Sequence, residues 1–454
     1  MKRYPVYKDS GLPWLGEIPK HWEIKRSKHF FREIDERSDS GDEELLSVSH
    51  ITGVTPRSEK NITMFMAESY EGYKTCIPND LVINIMWAWM GALGVSKYRG
   101  IISSAYGVYR AKDKNSFNFE YLDYLVRIPE YIAEYTRRSK GIRSSRLRMY
   151  SDDFFQLPII CPPPKEQKTI AHFLDYKIEQ IEQYIRNKQR LIELLNEQKT
   201  AIINRAVTKG INPNAPMKHS GIEWLGEIPA HWEIDRIGRL SESLQTGPFG
   251  SKLHSKEYVS GGIPVINPSN MRYSKIVPDL NCAIDKPTWE RLKRHALEIG
   301  DIIFARRGEM GRCALVTEKE SGWICGTGSL RMRPKAEKTI REFLIMVLSA
   351  QGVAEYLSLM SVGSTMENLN TGILERLPIP LPPIEEQKKI IEFIKKKNLQ
   401  VDLAIAQIEK EIELIQEYRT TLISDAVTGK IDVRGFDNAH DTGNSPKPLE
   451  LATM

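Results

Sequence analysis

The sequence is poor in cysteine, and the cysteines that it has are scattered. They are Cys76, Cys161, Cys282, Cys313 and Cys325. Because their number is odd and no pair has the spacing of a zinc knuckle or a redox motif, a disulfide framework is not expected. Residues 1–16 lack the apolar core of a signal peptide. The most apolar run, residues 81–95, contains Asn84 and is too short for a membrane span, so we expect a cytoplasmic protein.

Motifs for catalysis are also missing. No glycine-rich cofactor loop follows a strand, no set of histidines and cysteines has metal-ligand spacing, and no nuclease pattern of carboxylates and lysine is present. The stretch Asn267-Pro268-Ser269-Asn270 matches the Asn-Pro-Pro-aromatic signature of amino methyltransferases in only its first two positions. The sequence therefore predicts no catalytic residue, no metal and no cofactor in this chain, and an enzymatic partner that supplies the chemistry.

Glycine and proline are absent from a long stretch that follows Pro162-Pro163-Pro164 and ends before Gly210. Within it, apolar residues alternate at steps of four and three, which is the a/d seam of a coiled coil. At 1.5 Å per residue, the helix would be roughly 60 Å long. The seam positions are Leu174, Ile178, Ile181, Ile185, Lys188, Ile192, Leu195, Lys199 and Ile202.

The seam occurs a second time, at an offset of 220 residues. Its positions are Ile394, Asn398, Val401, Ile405, Ile408, Ile412, Ile415, Arg419 and Leu422. Two helices with one register in one chain are natural partners, and we expect them to pair antiparallel along a shared seam. The alternative is that each helix packs on its own domain as an ordinary amphipathic helix.

The whole chain is a tandem duplication. Residues 8–24 recur nearly unchanged at residues 218–234, with WLGEIP and HWEI in both copies, at an offset of 210 residues. The blocks that follow, residues 25–156 and 235–376, have diverged. Constant flanks around divergent blocks indicate that the flanks are scaffold and that the blocks differ in specificity.

The fold class that this order predicts is α/β, with two compact α/β globules separated by two long antiparallel coiled-coil helices and related by a pseudo-twofold. In each globule a strand led by Asp80 or Asp301 precedes a glycine-bearing turn. The end of the chain is rich in Gly, Asp, Asn and Pro, which is typical of disorder. The expected segments are 1–157 for the leader and first globule, 158–210 for the first helix, 211–377 for the second leader and globule, 378–433 for the second helix and 434–454 for a disordered tail.

One stretch of the first globule lacks acidic residues altogether, since no carboxylate lies between Thr136 and Tyr150. Its cations are Arg137, Arg138, Lys140, Arg143, Arg146 and Arg148. Small residues interleave with them, so we expect a loop and not a helix face. Such a concentration of cations favours an anionic partner, and a DNA backbone supplies one. The alternative is a solvated basic surface.

A matching loop is expected in the second globule around Ser364, Asn368 and Asn370. Matching the Arg-Leu-Arg and Asn-Leu-Asn patterns that precede the Leu-Pro pair of each long helix sets Arg146-Leu147-Arg148 beside Asn368-Leu369-Asn370. Arginine pairs well with guanine edges and asparagine with adenine. We therefore hypothesise that the two loops read different base pairs.

Further candidate contacts lie in turns. Residues 246–252 (TGPFGSK) resemble a phosphate-cradling turn without the Walker spacing, with Lys252 as the cation, and an ordinary turn is the alternative. Arg306, Arg307 and Arg312 follow a buried strand and are candidate DNA contacts, with salt bridges to a neighbour such as Glu309 as the alternative.

Two tryptophans, Trp87 and Trp89, occupy the corresponding turn of the first globule. Large aromatic side chains bury well, so we expect core packing here. Base stacking or insertion as a wedge between base pairs is the alternative.

Three duplicated motifs resemble those of the specificity (S) subunit of type I restriction–modification systems. They are WLGEIPxHWE at Trp14 and Trp224, LPxxxPPxxEQK at Leu157 and Leu377, and a closing Ala-Val-Thr. The resemblance covers nearly the whole chain. It implies that the variable blocks are target recognition domains for double-stranded DNA, that the long helices are a spacer, and that the subunit is non-catalytic. It also implies two methyltransferase (M) subunits and restriction (R) subunits as partners, which would hold S-adenosylmethionine, ATP and Mg.

Two different reading units on one stiff helix pair predict an asymmetric, bipartite target, unlike the palindrome of a homodimer. The resemblance implies that N6-adenine methylation and restriction by the partners are directed to it. We expect the outer sides of the helices to bind the M subunits. A single-chain restriction enzyme is disfavoured by the missing motifs and by length. A coiled-coil scaffold without DNA specificity is the alternative.

Overall fold

The computed structural model describes residues 2–59, 69–142, 147–249, 252–272, 275–308, 310–361 and 369–436. The chain divides into two compact units. Unit 1 is Met1–Lys188 with Lys410–Met454, and unit 2 is Gln189–Glu409. Each unit therefore holds one globule and part of each long helix.

Unit 1 is an α/β globule of short elements. Its strands are β1 (Tyr7–Asp9), β2 (Glu17–Pro19), β3 (Glu23–Arg26), β4 (Phe31–Glu33), β5 (Leu46–Ser49), β6 (Gly53–Pro56), β7 (Lys74–Cys76), β8 (Leu81–Ile83), β9 (Leu93–Val95), β10 (Gly100–Ile102), β11 (Gly107–Ala111) and β12 (Pro158–Cys161). Its short helices are α1 (Phe119–Val126), α2 (Pro129–Arg138) and α3 (Ser151–Phe155). The largest sheet is antiparallel, in the order β4-β11-β8-β9. The long helix α4 (Pro164–Lys209) follows.

Unit 2 repeats this plan and adds to it. Its strands are β13 (Met217–His219), β14 (Glu227–Pro229), β15 (Glu233–Arg236), β16 (Ser241–Thr246), β17 (Tyr258–Val259), β18 (Ile263–Ile266), β19 (Met271–Arg272), β20 (Lys275–Ile276), β21 (Ala283–Ile284), β22 (Ile302–Ala305), β23 (Cys313–Leu315), β24 (Ile324–Cys325), β25 (Ser329–Pro334) and β26 (Pro378–Leu381). Its short helices are α5 (Ile237–Leu240), α6 (Lys286–Leu292), α7 (Arg341–Leu348), α8 (Gln351–Ser361) and α9 (Thr371–Arg376), and the second long helix is α10 (Ile384–Val427).

The diverged blocks contain the same central sheet. Unit 2 has the order β16-β25-β22-β23, which matches β4-β11-β8-β9 of unit 1. Leu81 of β8 lies opposite Tyr109 and Val95, and Ile302 of β22 lies opposite Met332 and Leu315. A second four-stranded sheet, β17-β21-β18-β24, occurs in unit 2. The predicted α/β class and tandem repeat are confirmed.

The long helices pair antiparallel within each unit. In unit 1, the Lys188 ammonium lies 2.7 Å from the Glu411 carboxylate, and Arg419 lies 3.3 Å from Glu182. In unit 2, Lys199 lies 2.5 Å from Asp402. Later residues of α4 thus face earlier residues of α10, so the predicted antiparallel pair is confirmed and separate packing of each helix is wrong.

Every residue named in the predicted seam is buried or partly buried in the described helices. Its polar members Lys188, Lys199 and Arg419 form the ion pairs just described. A polar residue at a seam position lowers stability but specifies register. The ion pairs therefore give the two helices a defined alignment within each unit.

The Glu-Gln pair at the start of each long helix binds the leader and the globule. Glu166 accepts hydrogen bonds from the Trp22 indole at 2.8 Å and pairs with His21 at 2.6 Å, and Glu386 pairs with His231 at 2.7 Å. A carboxylate at a helix N-terminus is stabilised by the helix dipole. Here it also connects the helix to the leader.

The neighbouring glutamine connects the same helix to the block. The Gln167 side chain donates to the Pro162 carbonyl at 2.8 Å and accepts from the Asn118 amide at 2.8 Å. Gln387 repeats this with the Pro382 carbonyl at 2.9 Å and the Ile340 amide at 2.8 Å. Both glutamines are buried, so the duplicated motif is a structural junction.

The C-terminal segment is ordered further than expected. The Phe436 ring packs on Phe173 and Tyr176, with ring centroids 5.3 and 5.6 Å apart. The Arg434 guanidinium lies 4.7 Å from the centre of the Tyr4 ring. The predicted start of a disordered tail at residue 434 is therefore too early, because these side chains find apolar partners. Residues 437–454, to which the rest of that prediction applies, lie outside the described residues.

Candidate nucleic-acid interface

The loops that carry the sequence-predicted residues meet at one edge of each unit. In unit 1, the Met149 amide donates a hydrogen bond of 3.0 Å to the Ile85 carbonyl, which joins the loop before α3 to the turn after β8. In unit 2, the Leu369 amide donates one of 2.9 Å to the Arg306 carbonyl, which joins the loop before α9 to the turn after β22. Loop edge 1 comprises residues 84–91, 139–142 and 147–150, and loop edge 2 comprises 246–249, 306–308, 310–312 and 369–370.

This contact corrects the alignment of the two loops. Met149 corresponds to Leu369, and both side chains are buried. The predicted match of Arg146–Arg148 with Asn368–Asn370 is therefore wrong by two positions. The buried residue that closes each loop sets the register, whereas the alternation of Arg-Leu-Arg and Asn-Leu-Asn placed Leu147 opposite Leu369.

Asn370 has a structural task in loop edge 2. Its side-chain oxygen accepts a hydrogen bond of 2.9 Å from the Ile373 amide and caps α9, as asparagine does at many helix starts. Tyr150 is the residue before α3 in loop edge 1. Ser364 and Asn368, the other two candidates of this loop, lie outside the described residues.

The first two cations of the basic cluster belong to a helix. Arg137 and Arg138 end α2, and their Nε atoms donate to the buried Glu134 carboxylate at 2.7 and 3.0 Å. Hydrogen bonding from Arg137, supported by Arg138, holds the pKa of Glu134 below its usual range. The loop prediction is therefore wrong for these two residues, because an acidic residue just outside the counted stretch pairs with both.

The remaining described cations of the cluster do lie in a loop. Lys140 and Arg148 exchange two backbone hydrogen bonds of 2.9 Å, and both side chains are exposed. The Lys140 ammonium lies 2.9 Å from the Asp153 carboxylate, and this hydrogen bond raises the pKa of Lys140. Arg143 and Arg146 lie between them, outside the described residues. Arg148 is thus the described cation of loop edge 1 that no carboxylate neutralises.

The tryptophans of loop edge 1 differ in their packing. Trp87 is 49 % exposed, so the prediction of core packing is wrong for it. Trp89 is partly buried, and its indole donates to the Met86 carbonyl at 3.0 Å. Trp87 and Met90, which is 39 % exposed, are therefore large apolar side chains at the surface of this turn.

In loop edge 2, Arg306 is held on several sides. It is only 8 % exposed. Its Nε donates to the Leu369 carbonyl at 3.0 Å, its amide donates to the Gly328 carbonyl at 3.0 Å, and its guanidinium lies 4.7 Å from the centre of the Phe249 ring. Burial lowers the pKa of Arg306, and the neighbouring Arg307 lowers it further.

The other cations of loop edge 2 are more open. Arg307 is exposed, and so is Lys252, a candidate that lies outside this edge as defined. Arg312 is partly buried and donates to the Pro268 carbonyl at 3.3 Å. Glu309, the expected salt-bridge partner, lies outside the described residues.

The turn at residues 246–249 is packed against its neighbours. The Gly247 amide donates to the Ser329 carbonyl at 3.0 Å, and a Cβ at Gly247 would lie 1.8 Å from the Gly326 carbonyl oxygen. That amide is therefore not available to a phosphate, which favours the reading as an ordinary turn. Residues 250 and 251 of the predicted cradle lie outside the described residues.

Phe249 is the residue of this edge that sequence reasoning overlooked. It is 53 % exposed although it is a large apolar side chain. Its signal in the sequence is its place between Gly247-Pro248 and Gly250, because an aromatic residue inside a glycine-rich turn has little core to enter. Its contact with Arg306 was beyond sequence reasoning, since the two are far apart in the chain.

The rest of the described chain supplies no metal centre, because no group of three or more His, Cys, Asp or Glu residues in the described ranges is arranged to bind an ion. Of the described helices, none is long and apolar enough by itself to cross a membrane, and only the bent pair α7 and α8 passes that test together.

An open cleft of about 450 Å³ in unit 2 is lined by charges of both signs, including Arg236, Arg376 and Glu375.

Two quasi-equivalent α/β globules, each with a loop edge and each continuous with a paired long helix, define a tandem protein with two recognition units. Residues 19–193 and 229–414 both match the type I restriction modification DNA specificity domain. The chain therefore belongs to the family of type I restriction–modification specificity subunits, which are non-catalytic, and its two units contain the two target recognition domains.

Relatives with known names support this assignment. The chain is 25 % identical over 435 residues to the specificity subunit of the type I restriction enzyme MjaVIII from Methanocaldococcus jannaschii, covering 92 % of this chain and 95 % of that protein. Its fold resembles a chain from a type I restriction–modification system studied for complex assembly and conformational transition, with a TM-score of 0.61, 16 % identity and coverage of 91 and 99 %. The fold also resembles that of the HsdS subunit from Thermoanaerobacter tengcongensis, with a TM-score of 0.50 and 16 % identity. This match covers 91 % of this chain and 98 % of that subunit.

Proposed function

We propose that each loop edge binds one half-site of a bipartite, asymmetric DNA target, so that unit 1 and unit 2 read different sequences. The single observation that carries this proposal is the duplicated backbone contact between Met149 and Ile85 and between Leu369 and Arg306. This contact gives both units the same arrangement of loops. The side chains at the loop edge differ, with Trp87 in unit 1 and Arg306 and Phe249 in unit 2. A shared backbone arrangement with different side chains suits two half-sites that differ in base sequence.

The candidate cations differ in whether a neighbouring carboxylate pairs with them. Exposed cations such as Arg148, Arg307 and Lys252 suit phosphate contacts, which add affinity without reading sequence. The further candidates in the same loops are Arg143, Arg146, Ser364 and Asn368. Arg137 and Arg138 contribute less, because both pair with Glu134, whose carboxylate offsets one of their two charges. Asn370 uses its oxygen to cap α9 and retains only its amide group for a base.

The paired helices would set the spacing of the half-sites and bind the partner subunits. Their outer sides expose leucines that the seam does not use, with Leu191 and Leu194 on α4 and Leu399 and Leu403 on α10. Exposed apolar side chains on a helix suit a partner helix. The partners in this proposal are two methyltransferase subunits and restriction subunits, which would hold S-adenosylmethionine, ATP and Mg in the cytoplasm.

The experiment that tests the proposal is sequencing of N6-methyladenine in genomic DNA, in cells with and without this chain and its methyltransferase partner. The expected result is one asymmetric bipartite motif, modified once on each strand and only when both proteins are present. Unmodified DNA, with the complex shown to assemble, would instead support a scaffold without DNA specificity.

A further inference from the structure

Arg306 is a buried cation without a counter-ion. Among the described residues it forms no ion pair with a carboxylate, although the comparable arginines Arg333 and Arg110 each bind a buried aspartate. Removing a guanidinium from water costs free energy that a partner must recover. The lowered pKa of Arg306 has this same cause, with Arg307 adding repulsion. An acceptor for this cation is therefore missing from the described part of the chain.

The surroundings of Arg306 are rigid. Backbone hydrogen bonds join its turn to the neighbouring segments: the Arg306 amide donates to the Gly328 carbonyl at 3.0 Å, the Gly247 amide to the Ser329 carbonyl at 3.0 Å, and the Gly326 amide to the Ile266 carbonyl at 2.9 Å. No side chain fits between them, because a Cβ at Gly326 would lie 2.3 Å from the Asn267 side-chain oxygen. A group held this firmly loses little conformational entropy when a ligand binds.

The free donors of Arg306 form a planar edge. Its Nε is occupied by the Leu369 carbonyl, and its face lies against Phe249. No hydrogen bond of its two terminal nitrogens to a described residue occurs. Two parallel N–H groups match the O6 and N7 acceptors of guanine in the major groove.

We propose that Arg306 reads a guanine in the half-site of unit 2 through its two terminal nitrogens, and that Phe249 keeps the guanidinium in the reading orientation. The inference rests on the proposed function and deepens it, since it names one base and one specificity-determining residue. The corresponding residue of unit 1 is Ile85, which has no donor, so this contact belongs to one half-site only.

A phosphate is the competing acceptor for the same nitrogens, but other residues serve it better. Arg307 is exposed in the same turn, and Lys252 is a second exposed cation of unit 2. A phosphate contact depends mainly on charge and tolerates a mobile side chain. The packing around Arg306 fixes the direction of its guanidinium, and a bidentate hydrogen bond to a base edge requires such a fixed direction.

The experiment uses the complex of the full chain with its methyltransferase partner and the methylated target found by sequencing. Arg306→Lys keeps the charge and removes the planar edge, and it should reduce discrimination at one guanine by about 5- to 150-fold. Replacing that guanine with 7-deazaguanine, which lacks N7, should weaken binding of the parent complex and leave the Arg306→Lys complex nearly unaffected. Binding is measured by fluorescence anisotropy on each duplex.

Two further variants separate the possible roles. Phe249→Leu changes an exposed residue and spares the core, so it should fold normally and relax the same guanine position to a smaller degree. Arg307→Gln is the matched control: it should weaken all duplexes alike and lower the slope of log K against log salt concentration by about 1. Thermal unfolding of each variant reports whether the fold is intact.

The outcomes distinguish failure of the guanine contact from failure of the proposed function. A methylated motif with unchanged guanine discrimination in folded Arg306→Lys and Phe249→Leu overturns the guanine contact and leaves the proposed function standing. A last variant, Arg306→Gln, removes the charge of Arg306. If it lowers the salt slope with no change in base preference, Arg306 contacts a phosphate, which also overturns the guanine contact. Absence of any methylated motif from an assembled complex rejects the proposed function and the guanine contact together.

Discussion

The Asp80 carboxylate accepts two hydrogen bonds from the Arg110 guanidinium, at 2.8 and 2.9 Å, although Asp80 is only 1 % exposed. Unit 2 repeats the pair with Asp301 and Arg333, at 2.9 and 3.0 Å. Both aspartates begin the central strand that leads to a loop edge. The bidentate pair joins that strand to its neighbour in the sheet, and it survives in two blocks whose sequences have otherwise diverged.

The buried pair should matter more than an exposed pair on the same arginine. Asp301→Ala leaves Arg333 without its buried partner, and we expect a loss of about 3–5 kcal/mol in the free energy of unfolding. Glu298→Ala is the matched control, since Glu298 also binds Arg333, at 2.8 Å, but is largely exposed, and it should cost less than about 1 kcal/mol. Urea unfolding measures both, and equal losses would contradict the assignment.

Glu166 and Glu386, the glutamates at the starts of the two long helices, should differ in how much they contribute to the stability of the protein. Glu166 accepts from Trp22 and from the Tyr4 hydroxyl, whereas the Trp232 indole has no acceptor among the described residues. Glu166→Ala should therefore destabilise the protein by about 1–3 kcal/mol, because a fully buried indole donor is left unsatisfied.

Glu386→Ala is the internal control for that change. It removes a pair with His231, which is half exposed, and should cost less than about 1 kcal/mol. Thermal unfolding followed by tryptophan fluorescence compares the two variants. The reverse order of stability would show that the indole hydrogen bond is not what holds the leader.

A pH dependence is expected from His295. Burial, followed by the charge of Arg294, lowers the pKa of His295 to about 4, and Arg294 Nε donates to its ring at 3.0 Å. The unfolded chain, with a histidine pKa near 6.5, binds a proton between pH 6.5 and 4 that the folded chain does not bind. Stability should therefore fall as the pH falls through this window, by roughly 1–2 kcal/mol at pH 5.

The test is a pair of unfolding curves at pH 7 and pH 5. His295→Gln removes the titrating group, so the difference between the two curves should shrink. Arg331 and Lys252 also face this histidine and lower its pKa, so neither residue is changed in this comparison. An unchanged pH difference in the variant would assign the effect to carboxylates elsewhere.

A spacing prediction follows from the helix pair. One heptad inserted between Asn187 and Gln189 in α4 alone should lengthen or abolish the allowed gap between half-sites. Matched heptads in both helices, the first directly after Lys188 and the second between Glu409 and Lys410, keep the pairs of Lys188 with Glu411 and of Lys199 with Asp402. They should lengthen the gap by about 3 base pairs, since seven residues rise about 10.5 Å. Methylation sequencing reads the gap, and a changed half-site sequence would refute the helices as spacer.

The cations of the basic cluster should not be equivalent in DNA binding. Arg148→Gln should lower the salt slope of binding by about 1, because no carboxylate neutralises this exposed cation in the described structure. Arg137→Gln is the control, because Glu134 already pairs with Arg137. Anisotropy at several salt concentrations compares them. Equal salt slopes in the two variants would mean that the cations of the basic cluster contribute alike to DNA binding and that Arg148 has no special role.

Local patterns were enough to predict the long helices and the duplication. Heptads are a one-dimensional signal that repeats over dozens of residues, and α4 and α10 follow it closely. The same offset of 220 residues sets Met149 beside Leu369, but the turn that each of these residues contacts could not be predicted from it. The side chain that closes each loop, Met149 or Leu369, is chosen by burial against a turn far away in the chain.

The same limit explains the errors at individual residues. Trp87 was expected inside because it is apolar, but its turn leaves it half exposed. Arg137 and Arg138 were assigned to a loop because glycine and serine follow them, whereas Glu134 extends the helix by pairing with both. Nothing in the sequence indicated that Arg306 is buried or that its guanidinium lies 4.7 Å from the centre of the Phe249 ring.

The sequence by itself determined the tandem repeat, the two antiparallel helices, the α/β class and the family, because each depends on periodicity or on motifs that are continuous in the chain. Only the tertiary structure decided which side chains share a loop edge, which cations are neutralised and which arginine is held for a ligand. These properties arise from contacts between distant residues, where burial and hydrogen bonding outweigh local preference.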